Sequence, residues 1–149
     1  MTIRKRVIIF GILLALTLGF IWGNSMLSKE MSGAISHFMA DLLGGEQGSS
    51  DEGHYLLRKA GHFFEFATLG VIFQLFVREL TADGARRLLA SALVGVSVPL
   101  IDETIQIFSN RGYALPDVWI DISGYALGMS LAILALGAVH LLRKKGKKE

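Results

Sequence analysis

The chain has 149 residues, of which 52% are hydrophobic, and a formal net charge of +2. This length predicts a single domain over residues 1–149, and this composition favours an integral membrane protein. The absence of cysteine excludes disulfides, thiol catalysis and Cys-ligated metal centres. The positive charge lies in short segments that flank apolar stretches, which indicates membrane orientation and not nucleic-acid binding.

Four apolar segments predict an all-α fold, an integral membrane bundle of four transmembrane helices. At 1.5 Å per residue, about 18–25 residues cover roughly 27–37 Å, enough to cross the hydrocarbon core of a bilayer. Basic residues precede the first segment as in a signal peptide, but its length and its terminal Trp22 favour a retained helix. The predicted segments are 7–26, 60–77, 88–108 and 118–142.

The first loop, between the first two segments, carries a helical pattern of its own. Ser28 is suited to the N-cap and Gly44-Gly45 to the end of a short helix. We predict an amphipathic helix at the membrane interface. Its apolar positions are Met31, Ala34, Ile35, Phe38, Met39, Leu42 and Leu43.

Lysine and arginine predict the orientation, because cytoplasmic loops of membrane proteins are enriched in both. Eleven of the fifteen fall in residues 4–6, 78–87 and 143–148. We therefore expect both termini in the cytoplasm of a bacterial plasma membrane, with residues 29–59 and 110–117 outside.

Ionisable residues lie within or beside the apolar segments. Inserting a charged residue at the centre of a membrane helix costs roughly 2.5–3.5 kcal/mol of free energy, so such residues indicate a functional site. In the predicted topology the second helix begins, the third ends and the fourth begins at the outer surface, so these residues share one level. Candidate catalytic residues are His62, Glu65, Asp102 and Glu103. Candidate ligand-binding residues are Arg58, Lys59, Gln106, Arg111, Asp117 and Asp121.

These residue types are suited to several kinds of chemistry. Arg58, Lys59 and Arg111 can hold a phosphate or carboxylate group, and His62 can transfer a proton with Glu65 or an aspartate as its partner. The carboxylates can instead bind Mg²⁺ or Ca²⁺, or together with the imidazole Mn²⁺ or Zn²⁺. A third alternative is a structural network of paired groups that fixes helix register.

Proline and glycine residues predict the local geometry of the helices near these ionisable residues. Pro99 predicts a kink in the third helix. Pro116 is suited to the first turn of the fourth helix, which places Asp117 at its positive end. Gly124 and Gly128 form a small-xxx-small pattern that predicts close helix packing.

The polar residues form a series of short motifs along the chain. The chain carries RKxxHFxEFxxLG from Arg58, DExxQxF from Asp102, Arg111, and DxxxDxxGxxxG from Asp117, with Asn24-Ser25 after the first segment. This series resembles the VanZ-like family of small bacterial membrane proteins and covers most of the chain. Phe66 stands where family members often carry Tyr, which argues against a phenol hydroxyl acting there.

The namesake of that family is linked to low-level resistance to the glycopeptide teicoplanin, so the resemblance implies a role in the cell envelope. Together with the residues, it predicts an outward-facing polar pocket that binds, and in one version modifies, an anionic lipid or a lipid-linked envelope precursor. The alternative is a non-enzymatic membrane scaffold or binding module. An ion-coupled carrier is disfavoured because the charges cluster at one side of the membrane.

Overall fold

Four long α-helices account for most of the chain in the computed structural model. The structure describes residues 2–28, 30–35, 38–39, 42, 51–109 and 114–146, with the backbone alone for 51, 52 and 54. Each helix is long and apolar enough to cross a membrane, and the described residues contain no β-strand, which confirms the predicted fold class. The helices are α1 (Ile3–Ser25), α2 (Asp51–Leu80), α3 (Gly84–Phe108) and α4 (Leu115–Lys145).

The helices extend beyond the predicted apolar segments because hydrogen-bonded turns continue into polar sequence. The largest extension is in α2, which begins nine residues before the apolar stretch. At the start of α3, the Asp83 carboxylate caps the helix by accepting hydrogen bonds from the backbone N–H groups of Ala85 and Arg86. Pro116 and Asp117 lie in the first turn of α4, as predicted.

The described part of the first loop is helical over residues 30–35, 38–39 and 42. Ser28 caps this helix, since its hydroxyl oxygen accepts a hydrogen bond from the backbone N–H of Met31 at 3.3 Å. Several apolar side chains, among them Ile35 and Phe38, are exposed, as expected of a helix lying at a membrane interface. Leu43, Gly44 and Gly45 lie outside the described residues.

The chain runs up and down, so α2 and α4 are parallel to each other, and they form the most extensive helix pair. Glycines allow this pair to approach closely. A Cβ atom built on Gly124 would overlap the carbonyl oxygen of Phe63, and one on Gly128 would overlap that of Ala67. Gly70 faces α4 in the same way. The small-residue pattern therefore sets the register of α2 against α4.

The apolar core is small, and most large apolar side chains face outward. The buried cluster draws residues from all four helices and includes the fully buried Phe66 and Leu69. In a bilayer, lipid replaces water around such an apolar exterior, and close packing and polar contacts hold the helices together. We call the end of the bundle that contains Ser25, Asp102 and Asp121 the polar end, and the opposite end the basic end.

Candidate functional site

Six predicted site residues are buried side by side at the polar end, and we call them the polar layer. The second helix contributes one of them, the third helix three and the fourth helix two. Three carboxylates in this layer are fully inaccessible to solvent. The helix topology therefore brings together groups that the sequence separates by dozens of residues. The polar layer consists of His62, Asp102, Glu103, Gln106, Asp117 and Asp121.

Two hydrogen bonds hold the end of α1, one to Asp102 in the polar layer and one to Glu65 in α2. The Ser25 hydroxyl donates to Oδ1 of Asp102 at 2.6 Å, and the side-chain amide of Gln106 donates to Oδ2 of the same carboxylate at 2.9 Å. The Asn24 amide donates to Oε1 of Glu65 at 3.1 Å. Both Asp102 oxygens are thus held in fixed positions, and the orientation of Glu65 is constrained.

Lys59 forms an ion pair with Asp117, which joins α2 to the start of α4. The Lys59 ammonium also lies 4.9 Å from the centre of the Tyr55 ring, a cation–π arrangement. This cation therefore has a structural partner of its own. Its predicted role in ligand binding stays a prediction.

The carboxylate of Asp121 is buried beside the imidazole of His62. Its Oδ1 lies 3.6 Å from Nδ1 of His62, which is too long for a hydrogen bond. Neither Asp121 oxygen has a hydrogen-bond donor within the part of the chain that the structure describes. The neighbouring Glu103 accepts a hydrogen bond from the backbone N–H of Ala114 at 3.0 Å through Oε2.

His62, Asp102 and Asp121 lie close enough together that they could hold one metal ion. Each offers one nitrogen or oxygen atom, and the three atoms lie within 4.8 Å of one another. All three residues are buried, and they come from α2, α3 and α4. An imidazole with two carboxylates is a donor set suited to Mn²⁺ or Zn²⁺.

A cavity of about 670 Å³ lies between α1, the first loop and the start of α2. Its wall is mainly apolar and includes Gly23 and Phe64. Arg58, His62 and Glu65 line it as well. Among the described residues, His62 is the member of the polar layer that lines this cavity.

Sequence reasoning did not assign two of the residues that organise this site. Asn24 and Ser25 are uncharged and lie at the end of an otherwise apolar helix, so charge and hydropathy do not single them out. Their signal is the short polar motif in the resemblance. Arg111, predicted to bind the ligand, lies outside the described residues.

Four membrane-spanning helices with a buried, carboxylate-rich layer at one end define a small polytopic membrane protein with a polar intramembrane site. The VanZ/LLP1 family model matches residues 7–136, which include all ten predicted site residues. The chain belongs to the VanZ/LLP1 family, as the order of its motifs predicts. No curated protein and no solved structure matches the chain significantly.

Proposed function

We propose that the protein binds an anionic lipid or a lipid-linked envelope precursor, with acyl or prenyl chains in the cavity and a phosphate group at Arg58. The observation that carries this proposal is the pairing of an apolar cavity wall with a guanidinium group in a membrane protein. Arginine is suited to this role because its planar fork matches two phosphate oxygens.

His62 and Glu65 support a further step in which the bound lipid is modified. Both line the cavity, and imidazole and carboxylate groups are the usual carriers of protons in catalysis. Asp102 and Glu103, which are not among the residues that line the cavity, would act through the polar layer. In the proposed orientation both termini are cytoplasmic, so the cavity opens toward the outer leaflet.

Native mass spectrometry of the protein in mild detergent tests lipid binding, with phosphatidylglycerol as the anionic probe and phosphatidylcholine as the zwitterionic one. We expect the wild type to retain more phosphatidylglycerol. Arg58→Gln should lose this preference, since a hydrogen bond to a charged group contributes about 1.5–3 kcal/mol, or roughly tenfold or more in affinity. Arg86→Gln is the matched control, because Arg86 is an exposed arginine outside the cavity.

A second variant tests the apolar part of the cavity. Gly23 lines the cavity, and no described heavy atom lies within 4 Å of the position of a Cβ, so Gly23→Leu places an apolar side chain at the cavity wall. It should reduce retention of both lipids, whereas Gly137→Leu, at an equally open position outside this cavity, should not. Unchanged lipid retention in both Arg58→Gln and Gly23→Leu would contradict the proposal.

The envelope role extends to glycopeptide susceptibility, since the family resemblance implies a link to teicoplanin. In a strain deleted for the gene, complementation with the wild type should change teicoplanin susceptibility more than complementation with Arg58→Gln. Equal effects at equal protein levels would separate lipid binding from the antibiotic response.

A membrane scaffold is the second candidate, and the inter-helix contacts favour it. The Lys59–Asp117 pair and the Ser25–Asp102 hydrogen bond both join different helices. For a scaffold, replacing members of the polar layer would unfold the protein. For a binding site, His62→Ala would leave helical content intact while lipid modification is lost.

A further inference from the structure

We infer that His62, Asp102 and Asp121 form a binding site for one divalent transition-metal ion, of the Mn²⁺ or Zn²⁺ class, at the junction of α2, α3 and α4. The inference is independent of the proposed lipid ligand. It rests on three observations about the polar layer: the spacing of the three ligand atoms, the state of the Asp121 carboxylate and the support around Asp102.

The first observation is the distance between His62 and Asp121. Two atoms bound to one ion at about 2.1 Å each lie roughly 3–4 Å apart in tetrahedral or octahedral geometry. The 3.6 Å between Nδ1 of His62 and Oδ1 of Asp121 falls in this range, although it is too long for a hydrogen bond. A ligand atom from Asp102 lies within 4.8 Å of the atoms that the other two residues offer.

The second observation is independent of this spacing. Asp121 is fully inaccessible to solvent, and neither of its oxygens has a hydrogen-bond donor in the described ranges of the chain. A buried carboxylate without donors is unfavourable, and such groups call for a bound ion or another partner. A bound metal ion would supply a positive charge to this carboxylate directly.

The third observation is the support around Asp102. The Ser25 hydroxyl and the Gln106 amide each donate a hydrogen bond to one of its oxygens. A carboxylate oxygen has two lone pairs, so one that accepts a hydrogen bond can also bind an ion. Hydrogen bonds of this kind orient the ligands of metal sites and raise their affinity. The donor set includes one nitrogen, so it favours Mn²⁺ or Zn²⁺ over Mg²⁺ and Ca²⁺, which prefer oxygen ligands.

The test uses the full chain in detergent, purified without a polyhistidine tag, stripped with EDTA and then titrated with each metal chloride. We expect the melting temperature to rise with the logarithm of Mn²⁺ or Zn²⁺ concentration above the dissociation constant, with smaller shifts for Mg²⁺ and Ca²⁺. Elemental analysis after desalting should give one ion per chain. Asp121→Asn should lose the shift, since an amide oxygen is a poorer ligand than a carboxylate.

Glu103→Gln is the matched control, because it removes a fully buried carboxylate of the same layer that is not one of the three proposed ligands. This variant should keep the metal response. If Asp121→Asn does not fold, pulsed electron paramagnetic resonance of bound Mn²⁺ should still detect an imidazole nitrogen in the wild type. That nitrogen signal should disappear in His62→Gln. A melting temperature indifferent to all four metals, a response that persists in Asp121→Asn, or Mn²⁺ without an imidazole nitrogen would each overturn the inference.

Discussion

The Ser25 hydroxyl donates a 2.6 Å hydrogen bond to Asp102, which joins the last residue of α1 to a residue 77 positions further along the chain. Both side chains are fully inaccessible to solvent. Ile21 and Ser25 are the buried residues of α1, so most of this helix faces lipid. Polar contacts at its end therefore have a large part in holding α1 against the other three helices.

Ser25→Ala should destabilise the protein, because it removes a donor from a buried carboxylate. The expected loss is about 1–3 kcal/mol in the free energy of unfolding, measured by denaturant or thermal unfolding in detergent. Ser130→Ala is the control, since the Ser130 hydroxyl is exposed and bonds to the carbonyl of Ala126 within its own helix. Equal stabilities for the two variants would show that the Ser25 bond does not attach α1.

Lys59→Met should be strongly destabilising because it leaves Asp117 buried without its cation. Breaking a buried ion pair from one side costs about 3–5 kcal/mol. Adding Asp117→Asn in the same chain should recover part of this loss, since the residual negative charge is removed. The double-mutant cycle is measured by unfolding in detergent.

The control for this cycle is Arg86→Met. Arg86 pairs with Asp83 at an exposed site, where an ion pair contributes at most about 1 kcal/mol. A double variant less stable than Lys59→Met alone would contradict the pairing of Lys59 with Asp117.

Gly128→Ala should weaken the contact between α2 and α4, since the added methyl group would overlap the carbonyl oxygen of Ala67. Overpacking of this kind costs about 1–3 kcal/mol. Gly137→Ala, in the same helix, meets no atom within 4 Å and should leave stability unchanged or raise it, because alanine favours helix. Melting temperatures of the two variants make the comparison, and a more stable Gly128→Ala would contradict the close approach of these helices.

Membrane orientation is open to a direct test. Reporter domains inserted at Gln47 and fused to the C-terminus should report opposite compartments, with the C-terminal reporter in the cytoplasm, because Lys and Arg are concentrated on that side. Protease protection in inverted vesicles provides a second readout. A C-terminal reporter outside the cytoplasm would contradict the predicted orientation, and the cavity would then open toward the inner leaflet.

The sequence predicts the four helices and the common level of the polar residues, because apolar segment length and alternating direction determine both. It also predicts the Pro116 turn, since proline favours the first turn of a helix. Helix bounds are predicted less well. Hydropathy marks the part of α2 that suits hydrocarbon, whereas the helix itself begins at Asp51, in polar sequence.

Partners within the polar layer are harder to predict. Helical periodicity gives the face of a residue but not the neighbouring helix that it meets. Lys59 is one example, because its ion pair with Asp117 does not follow from the sequence pattern, and its role in ligand binding stays a prediction. Gly70 shows the same difficulty, because its role depends on how α2 is rotated toward α4.

The parallel pairing of α2 with α4 also determines when the polar layer can assemble during synthesis. Lys59 and His62 lie on α2, which can enter the membrane before α4 brings Asp117 and Asp121, the carboxylates that face them. Until α4 arrives, α2 carries ionisable groups that a bilayer disfavours, so the insertion machinery must shelter it. Assembly of the site is therefore a late step in biogenesis, and a nascent chain that ends before α4 should be a substrate for membrane quality control.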